Sequence, residues 1–319
     1  MTSVYITIDT EYSAMFARHG RAEAFARSIR CDAAGGAVGV AYQMDVFDRH
    51  GIKAVFFVDP MPALLWGVEA IVDVVGPIVA RGHDVQLHLH TEWLALAGAA
   101  NPLGDRIGGS IADFHFEDQC RLIDLARTTL MAAGARQPVA FRAGNYGASD
   151  ETLRALAATG LRYDTSHCPG IAGSLCEISL GPDDRWPVLH EGVVEVPIGC
   201  IAAAGGGLRH AQITALSSGE LLAAIRHAGD ARLATFTIVS HSFELLSRDR
   251  TRTNQIVRRR FQRFCAGLVR LSGIRSATYA DAPPEVAPVA SAPVLPYDIF
   301  RTGRRHAEQV LANALYGAR

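Results

Sequence analysis

The stretch Gly82-His83-Asp84-Val85-Gln86-Leu87-His88-Leu89-His90-Thr91-Glu92-Trp93 holds a short apolar run, 85–87, that leads straight into two histidines and a carboxylate. These are the side chains a divalent metal takes at a strand end. His88 and His90 alternate as ligands on one strand face would, whereas His88 and Glu92 have the spacing of one helical turn. Both arrangements can hold zinc, so the choice between His90 and Glu92 stays open at this level. The remaining groups must come from elsewhere in the chain. Asp9 and Glu11 stand two apart after the apolar run 4–8, and are of the types suited to a general base and a metal ligand. Arg142 leaves the run 138–141 with a permanent charge whose fork suits clamping Asp9 in its ionised form. His241, flanked by Ser240 and Ser242 after the run 234–239, can protonate a leaving group.

Such residues work together only if their strands end at one place. Apolar and β-branched runs predict strands at 4–8, 53–58, 85–87, 138–141, 161–164, 193–197 and 234–239, with a last short one at 276–279. Helical spacing predicts helices over 39–50, 68–81, 115–134, 149–160, 217–228 and 253–272. Gly51 closes the first of these, Ser149 caps the fourth, and Ser217-Ser218-Gly219-Glu220 opens the fifth as a capping box. Alternation of this kind leaves an open doubly wound sheet or a barrel. Asp9, His88, Arg142 and His241 follow strands spread over almost the whole chain. A closed α/β barrel brings all such ends to one mouth, where an open sheet scatters them. The segment 13–38, with Arg18, Arg21, Arg27 and Arg30, reads as a long loop with one helical piece, placed to act as a lid over the Asp9 rim. Residues 1–280 are expected to form the barrel domain. Residues 281–319 read as a proline-rich arm followed by a helix over 301–316, which packs on the barrel or on a second subunit.

Composition narrows the partners. With 319 residues, 20 % charged and a formal net charge of -1, no global field favours nucleic acid or an anionic membrane, so a neutral small or polymeric substrate is expected. The start of the chain reads as a first strand and not as an export signal, and no apolar segment is long enough to span a bilayer, the pattern expected of a cytoplasmic protein. The six cysteines are scattered with no C-x-x-C pair, which points to reduced core thiols.

Five motifs in order then carry a resemblance: Thr7-Ile8-Asp9, Gly82-His83-Asp84 leading to His88, Phe141-Arg142-Ala143-Gly144-Asn145-Tyr146-Gly147, Tyr163-Asp164-Thr165-Ser166, and Ser240-His241-Ser242. Over roughly residues 3–280 the chain resembles the polysaccharide deacetylase family, carbohydrate esterases that act on N-acetylated sugars. The resemblance implies an irregular (β/α)7-type barrel with a long loop after the first strand. It implies Asp9 as catalytic base, Arg142 as its orienting partner and His241 as general acid. A backbone N–H near Tyr146 would help bind the oxyanion, with Trp93 a further candidate at the substrate. The implied cofactor is a divalent metal, Zn2+ first, on His88 and Glu11, with His90 or Glu92 completing the set. The implied substrate is an N-acetylated, or O-acetylated, sugar or glycan precursor.

Two departures from the family pattern stand out. Thr10 occupies the place of a second aspartate, leaving Glu11 to replace it, and Glu92 stands where a second histidine is usual. No acidic residue that would tune His241 is evident beyond Glu195. These departures keep two other readings in view: a metal-independent hydrolase of small ureide or formamide C–N bonds, and a catalytically inactive carbohydrate-binding scaffold.

Overall fold

The computed structural model describes residues 1–286 and 292–317, so parts of the arm and the last two residues of the chain lie outside the described residues. The strands are β1 (Thr2–Thr10), β2 (Val55–Val58), β3 (Asp84–Leu89), β4 (Ala140–Ala143), β5 (Tyr163–Asp164), β6 (Val188–His190), β7 (Val193–Glu195), β8 (Cys200–Ala202), β9 (Leu208–His210), β10 (Thr235–His241) and β11 (Ile274–Ala277). The helices are α1 (Arg21–Ser28), α2 (Val40–Arg49), α3 (Ala63–Trp66), α4 (Glu69–Ala80), α5 (Glu92–Ala97), α6 (Phe116–Ala132), α7 (Asp150–Ala158), α8 (Ser218–Asp230), α9 (Gln255–Leu268) and α10 (Ile299–Tyr316).

All nine residues of β1 are buried, because this strand lies mid-sheet with helices on its outer side. It pairs in parallel with β10 from Ser3 opposite Thr235 to Asp9 opposite His241. On its other edge the first half pairs with β11 and the second half with β2. The sheet continues β2-β3-β4-β5-β7-β6, which makes a curled (β/α) barrel of parallel strands with β6 as an antiparallel edge. Among the described residues no strand pair joins β7 to β10. Single backbone bonds span that gap: Ile198 N–H to the His167 carbonyl (3.0 Å), Gly199 N–H to Thr237 (2.9 Å), and Val239 N–H to Ala211 (2.9 Å). This is where the barrel is irregular.

Side chains alternate across the sheet. Val4, Ile6, Ile8, Phe56, Leu87 and Phe141 join the layer under the helices, while Tyr5, Val55, Phe57, Ala140 and Tyr163 fill the barrel with Tyr279. Tyr279 stacks on Tyr5, Phe57 and Tyr163 at 5.2, 5.9 and 5.5 Å between ring centroids. The same alternation that turns Tyr5 and Phe57 inward puts Asp9, His88, Arg142 and His241 inside at the C-terminal end. Capping fixes the helix starts: Ser149 accepts from Thr152 N–H, and Ser217 forms a capping box with Glu220.

The strands β6, β8 and β9 carry no readable pattern in the sequence. Each is three residues long, too short for either period to register. The segment 13–38 holds a 3-10 turn at Ala14–His19 as well as α1. It is tied to the barrel rim, since Ser242 Oγ–H donates to the Ser28 carbonyl (2.7 Å) and the Cys31 thiol lies 3.4 Å from the Ser242 carbonyl. All six cysteines are free. Among the described residues no helix is long and apolar enough to cross a membrane.

Candidate active site

Adjacent strands bring the polar residues together in register. Asp9 ends β1 directly opposite His241 on β10, and His88 on β3 lies opposite Arg142 on β4. Arg142 is fully buried over the face of Phe57, 4.5 Å from the ring centre. Its Nη1 donates to Asp9 Oδ1 at 2.5 Å and its Nε to the Thr165 carbonyl at 3.2 Å. The buried guanidinium thus has Asp9 as its carboxylate partner and fixes the orientation of that carboxylate. The Arg142 main chain also orients a histidine, because its carbonyl accepts the His88 Nδ1–H at 2.7 Å. A carbonyl only accepts, so His88 Nδ1 carries a proton, and the ring presents Nε2 to the mouth.

His90 follows two residues on and points the same way. Its Nε2 lies 3.1 Å from His88 Nε2 and 2.6 Å from Glu11 Oε2, and Glu11 Oε2 is itself 3.1 Å from His88 Nε2. Glu92 is elsewhere: it opens α5 and approaches the far nitrogen, His90 Nδ1, at 3.5 Å. The i, i+4 geometry suggested for His88 and Glu92 fails because β3 continues to Leu89, so no helical turn joins them. Thr10 is buried and donates to the Ile8 carbonyl, leaving Glu11 as the next acidic side chain at the mouth. Gly144 is required here. A Cβ on it would lie 2.7 Å from His90 Nδ1 and 2.8 Å from the Leu89 carbonyl, so only glycine lets β4 pass this close to the imidazole.

His241 stands on the other side of Asp9, Nε2 to Oδ2 3.8 Å, too long for a hydrogen bond, so both groups face the cavity. Its Nδ1 donates to Glu244 Oε1 at 2.9 Å. Glu244 is held in turn by Ser240 Oγ–H (3.0 Å) and by the Gln212 amide, which His210 contacts at 2.6 Å. Burial opposes charge on His241, but the Glu244 hydrogen bond and charge, followed by Asp9 and Glu11, outweigh it and raise its pKa to about 9. Glu244 is the acidic partner that sequence reasoning missed. Its signal was present as His241-x-x-Glu244 immediately after a strand. Glu195 does not have that role. It is buried opposite Asp164 in the β5–β7 register and accepts the His167 N–H at 3.0 Å. Burial, then the neighbouring carboxyl, raises the Glu195 pKa.

Asp59, just beyond β2, likewise escapes a reading of the sequence. It is buried, accepts the Met61 N–H at 3.0 Å, and has one oxygen without a partner. Burial raises its pKa to about 6, against the pull of His90 and His88. Asn145 and Tyr146 take left-handed backbone angles, φ 55° and 59°, and line the cavity together with Ile171, Leu175 and the residues above. Trp93 does not reach the cavity. It is completely buried edge-on to Trp66, 5.4 Å between centroids, because the first turn of α5 folds it back into the core. His83 and Asp84 lie at the opposite end of β3 from His88 and are scaffold. Burial lowers the His83 pKa to about 4, and Asp84 accepts the Tyr279 N–H at 3.0 Å.

No protein-family model and no curated protein matches the sequence. Solved structures do. A protein assigned to the polysaccharide deacetylases, from Mycobacterium smegmatis, superposes with a TM-score of 0.56 at 15 % identity, covering 90 % of this chain and 93 % of that one. The chain has a polysaccharide deacetylase-like fold. A 4-alpha-glucanotransferase from Thermococcus litoralis also superposes, with a TM-score of 0.52 at 10 % identity over 93 % of this chain and 42 % of that one. A family 4 carbohydrate esterase from Streptomyces lividans, in complex with acetate, gives 0.45 at 13 % identity over 92 % and 98 %. A deacetylase-like fold thus also accommodates a transferase, and the chemistry of this chain has to be argued from its own side chains.

On this deacetylase-like fold, Glu11, His88 and His90 form a donor set whose nitrogen and oxygen atoms lie within 4.8 Å of one another. Two imidazole nitrogens and a carboxylate oxygen converge at these separations, an arrangement that positive charge among them stabilises. Burial opposes a cationic His90, yet Glu11, then Glu92 and Asp59, raise its pKa well above the ordinary histidine range. The set therefore fits a divalent cation, and without one it takes up a proton. A second group, Asp150, His190 and Glu191, is more exposed and already engaged with Ser179 and Arg154.

Proposed function

We propose that the protein is a metal-assisted hydrolase that removes an N-acetyl, or less readily an O-acetyl, group from a sugar or glycan precursor. The observation that carries this reading is the flanking of the Glu11, His88 and His90 set by a carboxylate, Asp9, paired with Arg142, and by an imidazole, His241, paired with Glu244. A divalent metal of the zinc type, held by those three residues, supplies Lewis acidity to the acyl carbonyl and to the attacking water. Asp9, oriented by Arg142, takes the proton from that water. The backbone at Asn145 and Tyr146, held in its left-handed turn, lines the place where the carbonyl oxygen gains charge. His241, held as imidazolium by Glu244, gives its proton to the departing amine, which otherwise leaves poorly. Glu92 approaches the His90 ring at Nδ1 and Asp59 accepts from the His90 main-chain N–H, the support behind a ligand that metal sites generally need.

The test is acetate release. Zinc-loaded protein offered N-acetylglucosamine, its short oligomers and nucleotide-linked N-acetylhexosamines is expected to release acetate from at least one, and Asp9→Asn to abolish the release. No release from any of them by correctly folded, metal-loaded protein sinks the proposal. Hydrolysis of allantoin-like ureides or formamides by metal-free protein favours the second reading, in which the proton that His90 readily takes stands in for the metal.

A further inference from the structure

The last helix, α10, packs on the body by its polar face. Arg305, 3 % exposed, donates to Glu220 of α8 (Nε to Oε1, 3.1 Å), and Glu308 accepts from Arg260 of α9 (2.9 Å). Its apolar face is turned outward: Phe300 is 85 % exposed, Val310 69 % and Ile299 65 %, with Leu311 and Leu315 about half exposed. A helix stabilised by covering a core shows the reverse arrangement. The outward residues open on the order of 600 Å² of apolar surface, the top of the range for the largest patch on a monomer and most of the ~800 Å² per partner that a standard interface buries.

The order of residues along that face says what covers it. Phe300, Gly303, Ala307, Val310, Ala314 and Gly317 recur at alternating spacings of three and four, the seam of a paired helix. Gly303, Ala307 and Ala314 are exposed, so the seam has large and small positions. In a parallel pair each residue meets its own copy, stacking Phe300 on Phe300 and leaving holes at Gly303 and Ala307. In an antiparallel pair with the two-fold axis between residues 308 and 309, Phe300 meets the second copy's Gly317, Val310 meets its Ala307, and Ala314 its Gly303. Large then faces small at the aromatic and valine layers, and the glycine–alanine layers allow the axes to approach. Arg304, the charge within that arc, lies 3.7 Å from Glu308 on its own helix, clear of the seam.

We infer that α10 is the interface of a two-fold symmetric homodimer, formed by antiparallel pairing of its outward apolar seam with that of a second copy of this chain. The pairing is isologous and closes on itself, so it stops at two chains. A lipid surface would suit the large residues but not a seam centred on glycine and alanine.

Light scattering on the full chain during size exclusion is the test. Wild type is expected at twice the chain mass at tens of micromolar. Val310→Asp with Leu311→Asp is expected at the monomer mass, with unchanged circular dichroism because both positions are exposed. Under mild oxidation Gly303→Cys with Ala314→Cys is expected to give a covalent dimer, and neither single variant to do so beyond the wild-type background from Cys120 and Cys176. A monomeric wild type, or a dimer indifferent to the two aspartates, overturns the inference, and single-cysteine cross-linking overturns the antiparallel arrangement. So does a monomer that floats with phosphatidylcholine–phosphatidylglycerol vesicles and loses that binding in the double-aspartate variant.

Discussion

Glu244→Gln isolates the claim that a carboxylate sets the charge of His241. Glu244 Oε1 accepts from both His241 Nδ1–H and the Gln212 amide, while Oε2 accepts from Ser240 Oγ–H. A glutamine that keeps its carbonyl at the first position and its amide toward Ser240, whose hydroxyl can accept, retains the shape and removes only the charge. A hydrogen bond to a charged group contributes about 1.5–3 kcal/mol where a neutral one contributes about 1. The difference of about 0.5–2 kcal/mol corresponds, at 1.36 kcal/mol per unit, to a fall of about 0.4–1.5 units in the His241 pKa. Its side chain keeps 26 % of its surface exposed, so solvent screening favours the lower half of that range.

The acid must be protonated to act, so its pKa forms the alkaline limb of kcat/KM. In the wild type that limb is expected at about 9. In Glu244→Gln it moves to about 7.5–8.6, so at pH 8.5 the rate drops about 1.4- to 8-fold while the rate at pH 6 changes little. The same shift appears in stability. A histidine whose folded pKa exceeds its unfolded value of 6.5 contributes stability that is fully present below 6.5 and is lost as pH rises through about 9. The deficit of the variant in urea unfolding is therefore largest at or below neutral pH and closes above about 9. An alkaline limb that stays in place, with a deficit independent of pH, refutes the assignment of Glu244, and of His241 as the acid it holds. Glu195→Gln is the control, expected to leave the limb unmoved, because Glu195 lies opposite Asp164 and accepts from the His167 N–H, with no contact to His241.

Elemental analysis after zinc loading separates the candidate ligands. His88→Ala, His90→Ala and Glu11→Gln are each expected to lose stoichiometric metal, whereas Glu92→Gln keeps it with an affinity lower by roughly 10-fold, as for a group behind a ligand. Asp9→Asn should lower kcat by about 10²–10⁴-fold and, by leaving the buried Arg142 charge without its counter-charge, destabilise the fold by about 3 kcal/mol in chemical unfolding. Gly144→Ala forces a methyl against His90 and should cost about 1–3 kcal/mol while weakening metal retention in a competitive chelator titration. Trp93→Ala is expected to destabilise by about 3–5 kcal/mol with KM unchanged in the folded protein, and a raised KM at intact stability would return Trp93 to the substrate site.

What can be read in the sequence, and what cannot, divides along strand and turn. Asp9, His88, Arg142 and His241 are legible because each leaves an apolar strand, and strand alternation dictates which side chains turn inward. Glu244 is not, because it acts from the turn after β10, where spacing along the chain does not say which way a side chain points. A search for the tuning residue on a strand leads instead to Glu195, whose cross-strand neighbour Asp164 already occupies it. Glu92 and Trp93 are misplaced for a related reason: whether β3 ends before or after His88 decides if Glu92 shares a turn with it, and that boundary is the part of an element a sequence defines least well. The positions that set the site's geometry have no chemistry of their own. Val4, Ile6 and Ile8 pack outward under the helices, as do Leu87 and Leu89 on β3. A slip of one residue in the pairing of β1 with β10 would drive those side chains into the barrel and turn Asp9 out of it. The register that places Asp9 beside His241, and the separation of base from acid, is thus specified by the alternation of buried apolar residues several positions upstream, so substitutions such as Ile8→Asp should disable the site without touching it.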